Sequence, residues 1–223
     1  MKINADFSQV AIVIPMDDDW VRSPESGVER LMLDRIGDEV ARATSIVRYA
    51  SGSSFPEHSH AKGEEFLVLD GVFSDESGDY PAGTYVRNPP GSSHAPFSKA
   101  GCRILVKLRQ FHPRDLAHVV VNASDPTLWE DAGVAVARLP LHGYEDECVE
   151  MRRIDAGTNW PIGDAGGTEI LVVGGSIQFD GAVVGTEGWL RLPPGREATL
   201  TALDTSVLWI KTGHLGDVRA PTL

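Results

Sequence analysis

The sequence predicts an all-β protein made of two tandem barrels that arose by duplication. Three observations carry this expectation. Glycine (23 residues) and proline (14 residues) are scattered as punctuation between short runs rich in β-branched and apolar side chains, the texture of a sandwich or barrel. No segment holds helical periodicity for long, and only Gly27–Ala41 is expected to contain a turn or two of helix. The chain also repeats itself. Pro89-Pro90-Gly91 recurs as Pro193-Pro194-Gly195, an offset of 193 − 89 = 104. At the same offset Ile104-Leu105-Val106-Lys107 answers to Leu208-Trp209-Ile210-Lys211, Glu65-Phe66-Leu67-Val68 to Glu169-Ile170-Leu171-Val172, and Gly71 to Gly175. Trp20 and Trp129 correspond with a slightly different spacing. A period this long lies far outside the roughly 20–50 residues of solenoid repeats, so it marks a duplicated domain.

The expected strands run in order through Ala43–Tyr49, Glu65–Leu69, Thr84–Asn88, Cys102–Arg109, Glu169–Val173, Gly188–Leu192 and Ser206–Lys211. The polar stretch Asn122–Thr127, which contains Pro126, suggests a boundary between a first domain at 1–122 and a second at 123–223. A chain of 223 residues can bury a substantial core in either one large β unit or two domains of about 100 residues.

Charge and cysteine content narrow the function classes. A formal net charge of −12 repels phosphate backbones and anionic lipid, so neither direct nucleic-acid binding nor a membrane surface is expected. The apolar run Val10–Ile14 is too short for a signal-peptide core, is followed at once by Asp17, Asp18 and Asp19, and reads better as a strand. Cys102 and Cys148 stand alone, giving neither a disulfide framework nor a CxxC zinc knuckle. A reducing cytoplasm is the expected compartment.

The chemistry concentrates in the first half. His58 and His60 are alternate residues and share one face of a strand. Ala61-Lys62-Gly63 can turn the chain so that Glu64 returns beside them, and the Pro89-Pro90-Gly91 turn sends a strand carrying His94 back into the barrel. A single inward histidine is usually a satisfied core residue. Four titratable groups converging in a barrel without an ion would cost on the order of several kcal/mol in desolvation, which favours a metal site made of His58, His60, Glu64 and His94. Three imidazoles and a carboxylate suit one divalent ion, zinc ahead of iron, manganese or nickel, with copper also compatible. In the second half Glu64 and His94 map onto Thr168 and Ala198, and the His-x-His region has become Ile162-Gly163-Asp164-Ala165. That copy is expected to bind no metal and to serve as a structural barrel.

These spacings resemble the two motifs of the cupin superfamily. The glycine, His-x-His, glutamate, glycine pattern is complete, and the second motif (Gly83, Pro89, Gly91, His94) departs only at Ser98, where an asparagine is usual. The run Gly63–Tyr85, continued by Asn88–Ser98 and Gly101–Gln110, is similar to the cupin domain of ChrR-type anti-sigma factors. The resemblance implies two cupin, jelly-roll-like β-barrels. It also implies a regulatory or stress-sensing role in transcription control through binding of a sigma factor, another regulatory protein or a small molecule. ChrR-like proteins grip the sigma factor with an N-terminal helical zinc domain. About 20 residues precede the cupin half here and they hold no His or Cys, so that module is not expected in this sequence. The alternative is a mononuclear dioxygenase of the cupin type acting on a small carbonyl compound such as a β-diketone. Whether Glu64 closes the coordination shell or leaves it open separates the two. A homodimer is expected, because paired barrels leave sheet surface to cover.

Other residues take quieter roles. His112, His118, His142 and His214 are expected on the surface or in loops, and Cys102 as a small buried apolar residue. Phe55, Tyr85 and Phe97 flank the motifs and could line a pocket mouth or pack in the core. Glu65 should point away from Glu64 by alternation, and its survival as Glu169 in the metal-free copy suggests a structural role.

Overall fold

The structure, a computed structural model, describes residues 1–38, 40–216 and 218. It divides into two compact units, the first formed by Met1–Ala5 and Met16–Ser124, the second by Asp6–Pro15 and the described residues of 125–218. Both are built almost wholly from antiparallel strands. The division at 1–122 and 123–223 is crossed at the N-terminus. Ala11–Val13 is a strand, as its apolar run suggests, but it pairs with Trp189–Leu192 in the second unit, with Ala11 opposite Arg191.

In the first unit the sheet order is Lys2–Ile3, Val28–Gly37, Ala41–Tyr49, Cys102–Leu108, Glu64–Asp75, Thr84–Asn88 and Val119–Asn122. The 12-residue strand Glu64–Asp75 belongs to two surfaces: its first half lies between Cys102–Leu108 and Thr84–Asn88, and its second half pairs with Gly78–Pro81 and Phe97–Ser98. Its inward residues Phe66, Val68 and Phe73 join Val47, Tyr49, Val86, Ile104 and Val106 in one core. In the second unit the order is Glu130–Asp131, Val136–Tyr144, Glu147–Ile154, Ser206–Thr212, Thr168–Gly174, Trp189–Leu192 and Ala11–Val13, beside a four-stranded sheet of Asn159–Ile162, Ala198–Ala202, Ser176–Phe179 and Ala182–Gly185. Its apolar core is formed by Ile162, Ile170, Phe179, Leu200, Ile210 and their neighbours.

The expected helical turns in Gly27–Ala41 are absent among the described residues, and Val28–Gly37 is a strand. The reason is a β-bulge: the register against Ala41–Tyr49 slips between Met32 and Asp34, leaving Leu33 extruded. A bulge reverses the two-residue alternation that identifies a strand, so the buried set Val28, Leu31, Leu33 loses its period. The second unit repeats the device, with a slip between Pro140 and His142 around Leu141. Trp20 and Trp129 also keep one place, each directly following a 3₁₀ turn, and Arg48 and Arg153 lie over their rings at 4.3 and 5.5 Å.

The outward residues of the central strands are buried as well, and they are charged. Glu65 accepts hydrogen bonds from Tyr85 Oη (2.6 Å) and Arg87 Nη1 (3.0 Å), while Arg87 Nη2 donates to Asp115 at 2.6 Å and the guanidinium lies 3.8 Å over Phe111. At the 104-residue offset, Glu169 accepts from Trp189 Nε1 at 2.8 Å and Arg191 lies 3.7 Å over Phe7. Buried carboxylates survive only with such partners, which explains why this glutamate is kept where the counterparts of Glu64 and His94 are not. His214 lies in a loop, one of its two expected places, but its side chain is buried, with Nε2 3.0 Å from Glu169 Oε2.

Candidate metal centre

The site begins with two short strands. His58–Ser59 pairs with Ser93–His94, setting His58 directly opposite His94. Directly opposed side chains in an antiparallel pair lie close together, and these two rings are 4.9 Å apart. The His60 ring stands 5.1 Å from His58 and 4.7 Å from His94. The following turn is closed by Gly63 N–H donating to His60 C=O at 3.2 Å. Gly63 has φ +76, and a Cβ there would collide with the Phe111 ring, so glycine is required. The turn delivers Glu64 into the start of the long strand. One donor atom from each of His58, His60, Glu64 and His94 lies within 4.8 Å of all the others, a group that could hold a metal ion.

Hydrogen bonds fix the orientation of all three imidazoles. His58 Nδ1 is 2.9 Å from the Pro56 carbonyl, which can only accept. Ser92 Oγ donates to Pro89 C=O at 2.7 Å, leaving its lone pairs to accept from His60 Nδ1 at 3.0 Å. His94 Nδ1 lies 3.2 Å from Asp75 Oδ2. With each Nδ1 carrying the proton, each Nε2 presents a lone pair. The buried Nε2 atoms of His60 and His94 and Oε1 of Glu64 have no hydrogen-bond partner, although Oε1 lies 3.5 and 3.3 Å from those two nitrogens. Lone pairs gathered around a carboxylate oxygen repel unless a cation sits among them. The donor set and its orphaned atoms therefore fit a divalent ion of borderline character.

The surroundings tune the ligands differently. Burial depresses the basicity of His60, reinforced by His94 and His58 and opposed by Glu64. Burial also acts against charge on His94, but the Asp75 hydrogen bond and the Glu64 and Asp75 charges outweigh it and raise its pKa. Asp75 is held below the usual carboxylate range: burial works against this, and the bonds from His94, Ser77 N–H and Tyr80 overcome it.

A cavity of ≈ 230 Å³ opens against the four residues. Its wall is largely apolar, with Val47, Tyr49, Phe55, Ile104 and Leu108 among the lining, and Arg30 and Arg109 are its cationic members. Phe55 thus lines the pocket, as one of its two expected roles. Tyr85 does not, because it is buried on the opposite face with Glu65, and Phe97 lies instead on the strand paired with Ser53–Ser54. Ser98, in the place of the usual asparagine, is buried and donates to Val72 C=O at 2.7 Å. The supporting groups Asp75 and Ser92 were not singled out by spacing, since neither belongs to a ligand pattern.

The second unit keeps the frame without the donors. Ile162 stands opposite Ala198 in the same ladder position as His58 and His94. Thr168 replaces Glu64, and its buried Oγ1 has no hydrogen-bond partner.

The fold is that of the cupins, and residues 8–112 match the model of the ChrR cupin-like domain, so this part of the chain resembles a ChrR-type cupin domain. No curated protein matches it in sequence. Among solved structures it is similar to the protein Ylba from Escherichia coli (14% identity, TM-score 0.70, 96% of this chain and 94% of that one). It is also similar to the bacterial pirin YhhW from Escherichia coli, solved with nickel(II) (13%, 0.69, 92% and 98%). A third is salicylate 1,2-dioxygenase from Pseudoaminobacter salicylatoxidans (12%, 0.58, 77% and 68%). At these identities the likeness is one of fold.

Proposed function

We propose that the first unit holds one divalent ion on His58, His60, Glu64 and His94 and is a mononuclear metal-dependent enzyme of the dioxygenase type acting on a small carbonyl compound. The observation that carries this reading is the cavity of ≈ 230 Å³ against the orphaned ligand atoms. A purely structural ion needs no such space, whereas a substrate needs both an apolar wall and access to the ion. A bound ion would supply Lewis-acid polarisation of a carbonyl or enolate oxygen and, if redox-active, chemistry with dioxygen. The chain's own part is to orient three imidazoles through Pro56, Ser92 and Asp75, and to exclude water with the apolar wall. Among the similar folds, the nickel-bound pirin and the salicylate 1,2-dioxygenase are compatible with this use of the frame.

The test is metal analysis of untagged protein followed by oxygen uptake with acetylacetone after loading with iron, zinc or nickel. Turnover that follows metal content supports the enzyme. Stoichiometric zinc, with no oxygen uptake by any loaded form, supports the second reading, a ChrR-like sensor acting on a sigma factor or other regulatory protein. The match of residues 8–112 to the ChrR cupin-like domain favours that second reading. It predicts co-elution with a sigma factor on gel filtration, and loss of the complex on chelation.

A further inference from the structure

Arg30 and Arg109 line the metal-facing cavity and also a smaller one of ≈ 130 Å³ adjoining it, where Arg35 joins them. Three guanidinium groups gathered at one pocket in a chain of net charge −12 require explanation. The bulge at Leu33 brings two of them to the same face. Arg30 stands opposite Val47 and Arg35 opposite Ala43, both lining residues, and without the one-residue slip Arg35 would point the other way. All three are half-buried, and neither Arg30 nor Arg109 forms a side-chain hydrogen bond or ion pair with a described residue.

Arg109 is the more telling residue. Its φ of +60 is a conformation that L side chains adopt at a cost. Its N–H donates to Gly63 C=O at 3.0 Å, and the identical bond in the second unit, at 3.1 Å to Gly167 C=O, is made by Gly213. The metal-free copy uses the residue the backbone favours; the metal-bearing half keeps an arginine against that preference. Aligned on the extruded leucines, Leu33 and Leu141, the copies of Arg30 and Arg35 are Arg138 and Gly143. Arg138 is engaged outside by Glu130 at 3.0 Å. Among the described residues the arginine trio thus stands beside the candidate metal cluster, with Arg35 also held by the Gly37 and Asp38 carbonyls.

We infer that Arg30, Arg35 and Arg109 form a carboxylate-binding subsite, so that the substrate is a small organic acid spanning the cavity. Its carbonyl oxygens would face the His58, His60, Glu64 and His94 end, its apolar body would lie along Val47 and Leu108, and its carboxylate would meet the arginines. Guanidinium is the side chain best matched to a carboxylate. The cavity volume lies below the roughly 300–1,000 Å³ typical of drug-sized ligands, which limits the acid to a small one. This inference rests on the proposed metal site.

The probe is 4,6-dioxoheptanoate, a β-diketone with a carboxylate tail, compared with its methyl ester by calorimetry on the metal-loaded full chain. The acid is expected to bind about tenfold or more tightly than the ester. Arg30→Gln and Arg109→Gly should each remove most of that preference while metal content stays unchanged. Arg109→Gly is expected to fold because Gly213 already occupies the equivalent position. Equal binding of acid and ester by metal-loaded protein, or a preference that survives both substitutions, overturns the subsite alone. Absence of stoichiometric metal from the wild-type chain overturns the site beneath it.

Discussion

His94 stands directly opposite His58 with the rings 4.9 Å apart, and 104 residues later the same ladder position holds Ala198 opposite Ile162. The duplication kept the backbone pairing and exchanged a polar cross-strand pair for an apolar one that joins or packs against the second core. The duplicated position in the second unit should therefore bind no ion. His58→Ala should lower affinity at least tenfold, because three donors cannot replace four. Elemental analysis after dialysis against a weak chelator checks both statements, and unchanged metal in the variant would remove His58 from the site.

Asp75 supports the proposed metal centre without belonging to it. Its Oδ2 holds His94 Nδ1 at 3.2 Å, and it in turn receives bonds from Ser77 and Tyr80. An anionic acceptor behind an imidazole fixes the tautomer and strengthens the opposite nitrogen as a donor. Asp75→Asn should weaken metal binding about 10–100-fold while leaving the fold intact. Chelator competition measures the affinity, and far-ultraviolet circular dichroism verifies the fold.

Glu64 and Glu65 are neighbours with opposite assignments, and substitution should separate them. Glu64 faces the imidazoles; Glu65 faces away, fully buried against Tyr85 and Arg87. Glu64→Gln should lose metal affinity with little loss of stability in the metal-free protein, since it removes a carboxylate oxygen that has no hydrogen-bond partner there. Glu65→Ala should cost about 3 kcal/mol, because it strips one partner from a buried guanidinium. Urea denaturation of both apo-proteins gives the comparison, and the opposite ordering would reverse the assignment.

Much of this was legible in the sequence because the ligand spacing is a local pattern and the repeat shows directly when the chain is compared with itself. His58, His60, Glu64 and His94 could be placed from alternation and two glycine turns, and Glu65 from its survival as Glu169. The strand Val28–Gly37 was not legible: the bulge at Leu33 erases its period, and with it the convergence of Arg30 and Arg35. The exchange of Ala11–Val13 into the second unit leaves no local mark either, since a strand's partner is set by tertiary packing. The burial of the His214 side chain was not legible for the same reason, its partner Glu169 lying 45 residues away.

The two cysteines give a prediction that needs no metal. Cys102 is buried and Cys148 exposed. Burial pushes the Cys102 thiol from an ordinary 9.0 up to about 11, with Ser98 opposing and Asp70 adding to the rise. Thiolate is the reactive form, so at pH 8 a thiol reagent should modify Cys148 in the folded protein and Cys102 only after unfolding. The same shift has a sign for stability. Between pH 9 and 11 the folded protein retains a proton on Cys102 that the unfolded chain has released. The contribution is therefore fully present below pH 9 and is lost as pH rises through that window. In Cys102→Ala the fall of stability with pH should be shallower there than in the wild type, measured by urea midpoints at pH 8, 9, 10 and 11. Identical slopes in the two proteins would mean that the thiol is no more protected in the folded chain than in the unfolded one.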